Sequence, residues 1–211
     1  MLLTAGCEPP PIPFSPEATA YTAVEARTAG MAFNNAPDVL PVNVEAQYFG
    51  IATGDITETE GASTARSWVG TAEISATFLS SGPSFEGRIS GLAAQEGRRA
   101  GSLYTLLYTG TEAEISDELA AFDPVEGEIK ITSGRGTTEG AGQVRAEVGG
   151  GFTHNGDEIA FDGFTDGRLT GNNVEVLQLT GSTAGSTTGS RLTITENGED
   201  RAGNLYATAA R

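Results

Sequence analysis

Residues 70–78 read Gly70-Thr71-Ala72-Glu73-Ile74-Ser75-Ala76-Thr77-Phe78. Ala72, Ile74, Ala76 and Phe78 fall on one face of an extended chain, and Thr71, Glu73, Ser75 and Thr77 on the other. That period of two marks a strand with one buried face. Ser81-Gly82-Pro83-Ser84 follows as a turn signal. Phe85, Gly87 and Ile89 then alternate with Glu86, Arg88 and Ser90, which completes a hairpin.

The same period extends in both directions. Val44, Ala46, Tyr48 and Gly50 predict an earlier strand. Val125, Gly127, Ile129 and Ile131 predict a later one, as do Val144, Ala146 and Val148. His154-Asn155-Gly156-Asp157 contains Asn-Gly, the strongest short hairpin signal, with Ile159, Phe161 and Gly163 beyond it. Residues 103–108, apolar on both faces, read as a further strand. Residues 191–195 and 204–209 close the set, joined through Asn197-Gly198-Glu199-Asp200. Consecutive hairpins and a small-residue inner face predict an all-β fold: an eight-stranded antiparallel up-and-down barrel over residues 40–211. A β-sandwich is the alternative.

Three segments break the pattern. Residues 17–39 form a helical leader, with Glu17 after Ser15-Pro16 as a start, Gly30 as a stop, and Ala20, Tyr21 and Val24 as a thin apolar face. Residues 111–122 place Ile115, Leu119 and Phe122 at helical spacing. Residues 181–190 are a Gly/Ser/Thr loop, long for a hairpin connection.

Twelve basic and 28 acidic residues give a net charge of −16, and Lys130 is the only lysine. This balance excludes a binder of nucleic-acid phosphates or of an anionic membrane surface by charge. No run of apolar residues is long enough for a transmembrane helix. The outward strand positions carry Glu, Thr, Ser, Arg and Lys, not the apolar band and aromatic girdles of a membrane barrel. The exterior is therefore expected to be wet and the interior apolar.

The single cysteine, Cys7, excludes an intramolecular disulfide. Its context, Leu3-Thr4-Ala5-Gly6-Cys7, is that of a bacterial lipobox, in which small residues precede the cysteine that takes the lipid. Residues 1–7 thus read as the remnant of a signal peptide. Residues 8–16, with five prolines, read as an extended tether behind a lipid anchor.

Three stretches then point one way. Residues 40–50 (LPVNVEAQYFG), residues 70–91 with their hairpin, and residues 167–181 (GRLTGNNVEVLQLTG) together resemble the barrel domain of transferrin-binding-protein-B-like surface lipoproteins of Gram-negative bacteria, in particular the small single-barrel members. The resemblance implies a lipid-anchored outer-membrane protein, at the cell surface or the periplasmic face. Its loops at one barrel end, including residues 111–122 and 181–190, would capture an extracellular ligand or partner, iron- or haem-related in that family. No catalysis and no bound cofactor or metal are expected. The alternatives are a structural envelope component and a carboxylate-dependent hydrolase.

Chemistry-bearing residues are few. His154 is the only histidine, so a catalytic triad or a haem ligand would have to use it. At a predicted Asn-Gly tip it is expected to be solvated. Asp157 with Glu158, Asp162 with Asp166, and Glu199 with Asp200 are the carboxylate pairs a hydrolase would draw on. Turn chemistry is the simpler account of them. Residues 162–167 have the composition of a calcium loop without EF-hand spacing. Trp68, the only tryptophan, falls at a strand start, where its ring packs. No phosphate-binding or dinucleotide fingerprint is present.

Overall fold

The computed structural model describes residues 14–32, 37, 40–136, 142–171, 173–185 and 191–211. Cys7 and most of the proline tether lie outside these residues, as does the second half of the 181–190 loop. In chain order the elements are α1 (Pro16–Ala32), β1 (Val44–Thr57), β2 (Thr64–Leu79), β3 (Gly82–Arg99), α2 (Ser102–Thr109), α3 (Glu112–Leu119), β4 (Asp123–Pro124), β5 (Glu126–Gly136), β6 (Gln143–His154), β7 (Asp157–Thr170), β8 (Val176–Ser182), β9 (Leu192–Glu196) and β10 (Glu199–Ala210).

The strands form one antiparallel sheet that closes on itself. The order runs β1-β2-β3-β5-β6-β7-β8-β10, and β10 returns to β1 with Phe49 opposite Ala210 and Thr57 opposite Ala202. This is the eight-stranded up-and-down barrel that the alternation predicts. One position in the ring is divided. β8 pairs with residues 166–170 of β7 and β9 with residues 159–163, and both lie against β10. β8 and β9 therefore share a single strand position in the wall. β4 is a two-residue strap on Ala93 and Ala94 of β3.

The turns follow from residue type. Asn155-Gly156 and Asn197-Gly198 both have two consecutive positive φ angles, 54° and 90° in the first and 54° and 82° in the second. That is the two-residue geometry whose twist matches the flanking strands.

Eight strands leave an interior that side chains can fill. Tyr48, Trp68, Ile74, Phe78, Ile89, Ile129 and Phe161 are all buried inside. Trp68 meets Phe161 edge-on at 5.4 Å and Phe152 at 6.3 Å. Burying each such side chain contributes about 1.5–3 kcal/mol relative to leaving it in water. Alanine and glycine on β1 and β2 make room for the large rings opposite.

A second apolar layer covers one side of the outer wall. In β1, burial alternates up to Phe49 and then becomes continuous from Gly50 to Ile56. The cause is the helices: Ile51, Val69 and Ala93 point outward and pack under Leu103 and Leu107 of α2, Ile115 and Leu119 of α3, and Ala20 and Ala23 of α1. Residues 103–108 are thus a helix, not a strand. An apolar run of this length does not distinguish the two. Here Gly101, with φ 78°, and Gly110 bracket one short helix with Leu103 and Leu107 on its buried side. The 111–122 segment is helical as its spacing predicts, opened by a capping box between Thr111 and Glu114. α1 buries Thr19, Ala20, Ala23 and Ala26, while Tyr21 is 53% exposed. Its inner face is an alanine stripe that includes the expected Ala20, with Val24 packed beside it and Tyr21 turned outward, and small residues let the helix lie close against the wall.

Where no helix covers it, the outer wall is polar. Glu73 of β2 pairs with Arg88 of β3 at 2.9 Å, and Arg145 of β6 with Asp166 of β7 at 3.1 Å. Mid-wall ion pairs of this kind suit a face turned to water.

Candidate functional site

Two places combine polar chemistry with restricted access. The first lies on the outer wall, where α2 meets β10. Tyr104 and Tyr108 stand one turn apart on α2, so they share a face. Their rings are stacked at 6.0 Å, and Tyr104 lies 4.7 Å from the ring of Tyr206 on β10. Tyr104 and Tyr108 remain 44% and 48% exposed. Burial, and then the nearby Tyr104 and Asp55, push the Tyr206 phenol above its ordinary range, so it stays a neutral donor.

The wall beneath is a regular array. Antiparallel register sets Asp166, Thr180, Tyr206 and Thr53 side by side across β7, β8, β10 and β1. The next outward row is Arg168, Gln178, Thr208 and Ile51. Open depressions flank the Tyr104–Tyr206 pair. One, of about 380 Å³, is floored by Gln178, Thr180 and Thr208. The other, of about 300 Å³, is bordered by Thr57, Ser182 and Asn204. The charged groups of the array are engaged: Arg168 donates to Gln178 at 2.8 Å, and Asp166 accepts from Arg145.

α2 is fixed at both ends. Buried Asp55 accepts the Gly101 amide at 2.6 Å and the Ser67 hydroxyl at 2.5 Å. Arg27 of α1 donates to the Gly110 carbonyl at 2.6 Å. An anion at the start of the helix and a cation at its end also complement its dipole. The tyrosines are therefore carried on a braced element.

The second place is the barrel mouth formed by the ends of β3, β6 and β9 and the starts of β2 and β7. Arg66, with its side chain 8% exposed, donates to Glu96 at 2.5 Å, to Asp157 at 2.8 Å, and to Glu196. Arg201 adds a 2.7 Å bond to Glu196. The Arg66 guanidinium holds the Glu96 carboxyl below its ordinary value. The Asn197 amide, and then Arg66, do the same for Asp157. A general acid needs the opposite shift.

The structure distributes the sequence-predicted residues between these places and the wall. His154 is not solvated but 3% exposed, because β6 directs it inward at the mouth. Neither ring nitrogen has a hydrogen-bond partner among the described residues. Nδ1 lies 3.7 Å from Glu96 and Nε2 3.9 Å from Asp123. Asp157 joins the Arg66 cluster, Asp166 pairs with Arg145, and Glu199 lies 3.3 Å from Arg201. Residues 162–167 lie within β7 and form no loop. Trp68 sits well inside β2, in the core. The 111–122 excursion lies along the outer wall with the other helices. Among the described residues no cluster of three or more His, Cys, Asp or Glu is arranged for a metal ion. Sequence reasoning misses the tyrosine groove and Arg66. The helical spacing of Tyr104 and Tyr108 was the signal for the first, and a charge at the inward-facing position two before Trp68 for the second.

Compared with protein-family models, curated proteins and solved structures, the chain has no match.

Proposed function

We propose that the chain is a lipid-anchored binding protein of the Gram-negative outer membrane that holds its ligand on the outer wall and performs no chemistry on it. Cys7 is the anchor and residues 8–16 the tether. The three weak strand motifs that resemble transferrin-binding-protein-B-like lipoproteins support the location. The observation that carries the binding reading is a contrast. The barrel interior is packed with side chains, while Tyr104, Tyr108 and Tyr206 stand partly open over a wall that carries the hydroxyls of Thr180 and Thr208 and the side-chain amide of Gln178. Partly exposed aromatics with convergent polar groups are a recurrent composition of ligand sites.

The test has two arms. Intact mass and membrane fractionation of the protein made in a Gram-negative host behind a complete signal peptide, beside Cys7→Ala, read the anchor. A diacylglycerol mass shift and outer-membrane fractionation that depend on Cys7 are expected, and an unlipidated soluble product from both overturns the anchor. Thermal unfolding with haemin, ferric siderophores and a small-molecule envelope extract, beside Tyr206→Ala, reads the groove. A Tyr206-dependent rise in melting temperature is expected from at least one ligand source. Its absence from every source overturns binding at this site.

A further inference from the structure

We propose that the Tyr104–Tyr206 groove takes an uncharged oligosaccharide, one pyranose ring lying over the tyrosines and one in each flanking depression. This rests on the reading of the groove as a ligand site and names the class of ligand. A pyranose presents a C–H face and a rim of hydroxyls. The C–H face suits the electron-rich face of an aromatic ring. The rim suits hydroxyls and side-chain amides: on one side Thr180, Thr208 and the amide nitrogen of Gln178, whose oxygen is held by Arg168, and on the other Ser182 and Asn204, whose oxygens already accept the Ala184 and Asp55 amides and which keep their donors.

Charge removes the competing classes. The chain carries a net charge of −16, so an anionic polysaccharide or a nucleotide meets repulsion. Arg168 borders one depression, with its Nε held by the Gln178 side chain at 2.8 Å. A cationic ligand would draw on carboxylates, and Asp166 is taken by Arg145 and Asp55 by Ser67 and Gly101, which leaves only Glu60 at the exposed rim of the second depression. A purely apolar ligand would leave the hydroxyls and amides of the wall without partners. An extended peptide added as a strand would need a free sheet edge, and the ring of strands is closed by the β1–β10 pairing. The two depressions on opposite sides of the tyrosine pair suit a linear chain of rings over a single sugar.

The experiment is calorimetric titration of the full 211-residue chain with cellohexaose, maltohexaose and N-acetylchitohexaose, and with oligogalacturonate as the charged control. At least one uncharged hexaose is expected to bind saturably, with an affinity that does not change from low to high salt. Tyr206→Ala and Tyr104→Ala weaken it at least about tenfold, while Tyr206→Phe, which keeps the ring, holds it within about threefold. Phe164→Ala, at an exposed aromatic elsewhere on the wall, leaves it unchanged. No binding of any uncharged hexaose, preference for oligogalacturonate, or binding indifferent to Tyr104 and Tyr206 overturns the proposal. If the hexaoses fail while haemin or the envelope extract still gives a Tyr206-dependent shift, the ligand class falls and the site stands. If both fail, the site falls with it.

Discussion

The Tyr48 hydroxyl donates a 2.6 Å hydrogen bond to the carbonyl of Val174 across the closed end of the barrel. Both residues are fully buried. Val174 is also in the left-handed region, φ 56°, which a β-branched residue rarely adopts. The bond thus satisfies a buried carbonyl in a strained turn. Tyr48→Phe keeps the ring and removes the donor. It is expected to cost about 1–3 kcal/mol, the price of a buried acceptor left alone, measured by denaturant unfolding.

The same tyrosine sets an alkaline limit. Burial pushes its phenol up to about 12, against an ordinary value of 10.0. The unfolded chain therefore ionises first. Its contribution is complete below pH 10 and declines between pH 10 and about 12. The melting temperature of the wild type is expected to fall more steeply than that of Tyr48→Phe in that window. Parallel alkaline limbs would refute this.

At the opposite mouth the sign reverses. Arg66 holds Glu96 below its ordinary 4.5, and Asn197 with Arg66 holds Asp157 below its ordinary 3.8. Depressed carboxyls stabilise the fold above those values and lose that contribution as pH falls through the lower, folded ones. Arg66→Met fits the aliphatic part of the side chain and abolishes the pairs. At neutral pH it is expected to cost about 1–3 kcal/mol, since its partners are partly hydrated and can stay ionised alone. Its acid unfolding limb becomes shallower than that of the wild type. An unchanged limb would show that the cluster does not set acid stability.

These relationships show where sequence reading succeeds and why it stops. The alternation at Ala72, Ile74, Ala76 and Phe78 exposes a barrel wall because one face of each strand meets the core and the other meets water. The two Asn-Gly turns are readable because few residues tolerate their φ angles. Residues 103–108 mislead because β1, β2 and β3 bury both faces where the helices cover them, and a buried helix and a buried strand share an apolar composition. His154 misleads because a hairpin tip on a barrel rim can turn inward as well as out. The Tyr206–Thr180 and Thr208–Gln178 neighbours depend on the register between β8 and β10, and that register spans a loop whose length hides it.

Barrel closure brings the β1 and β10 backbones close at Gly50, Gly54 and Gly203. A Cβ on Gly50 would lie 2.0 Å from the Thr208 carbonyl oxygen and 2.4 Å from the Ala209 Cα. Both are backbone of the closing strand, so neither can rotate away. Gly50→Ala forces β1 and β10 apart and is expected to cost about 3 kcal/mol or more, beyond ordinary overpacking of about 1–3 kcal/mol. Hydrogen exchange resolves the effect. Amides of residues 206–210 lose protection while those of the β6–β7 hairpin keep theirs. Uniform loss would mean global unfolding without a weakened seam.

Asp55 links the core to the groove. Its two carboxylate oxygens take the Ser67 hydroxyl and the Gly101 amide, and its own amide donates to the Asn204 side chain at 3.0 Å. Asn at this position retains one acceptor and turns a donor toward the second partner, so either Ser67 or Gly101 loses its bond. The expected loss is about 1–3 kcal/mol. If Asp55 acts by bracing α2, Asp55→Asn also loosens Tyr104 and Tyr108 without touching their rings. Near-ultraviolet circular dichroism of the tyrosine band should weaken, and proteolysis between residues 99 and 112 should accelerate. Ser67→Ala removes one of the same bonds, so the two substitutions together should cost less than their separate effects added. Full additivity, with an unchanged tyrosine band, would show that α2 is held by Leu103 and Leu107 alone and that Asp55 does not position the groove.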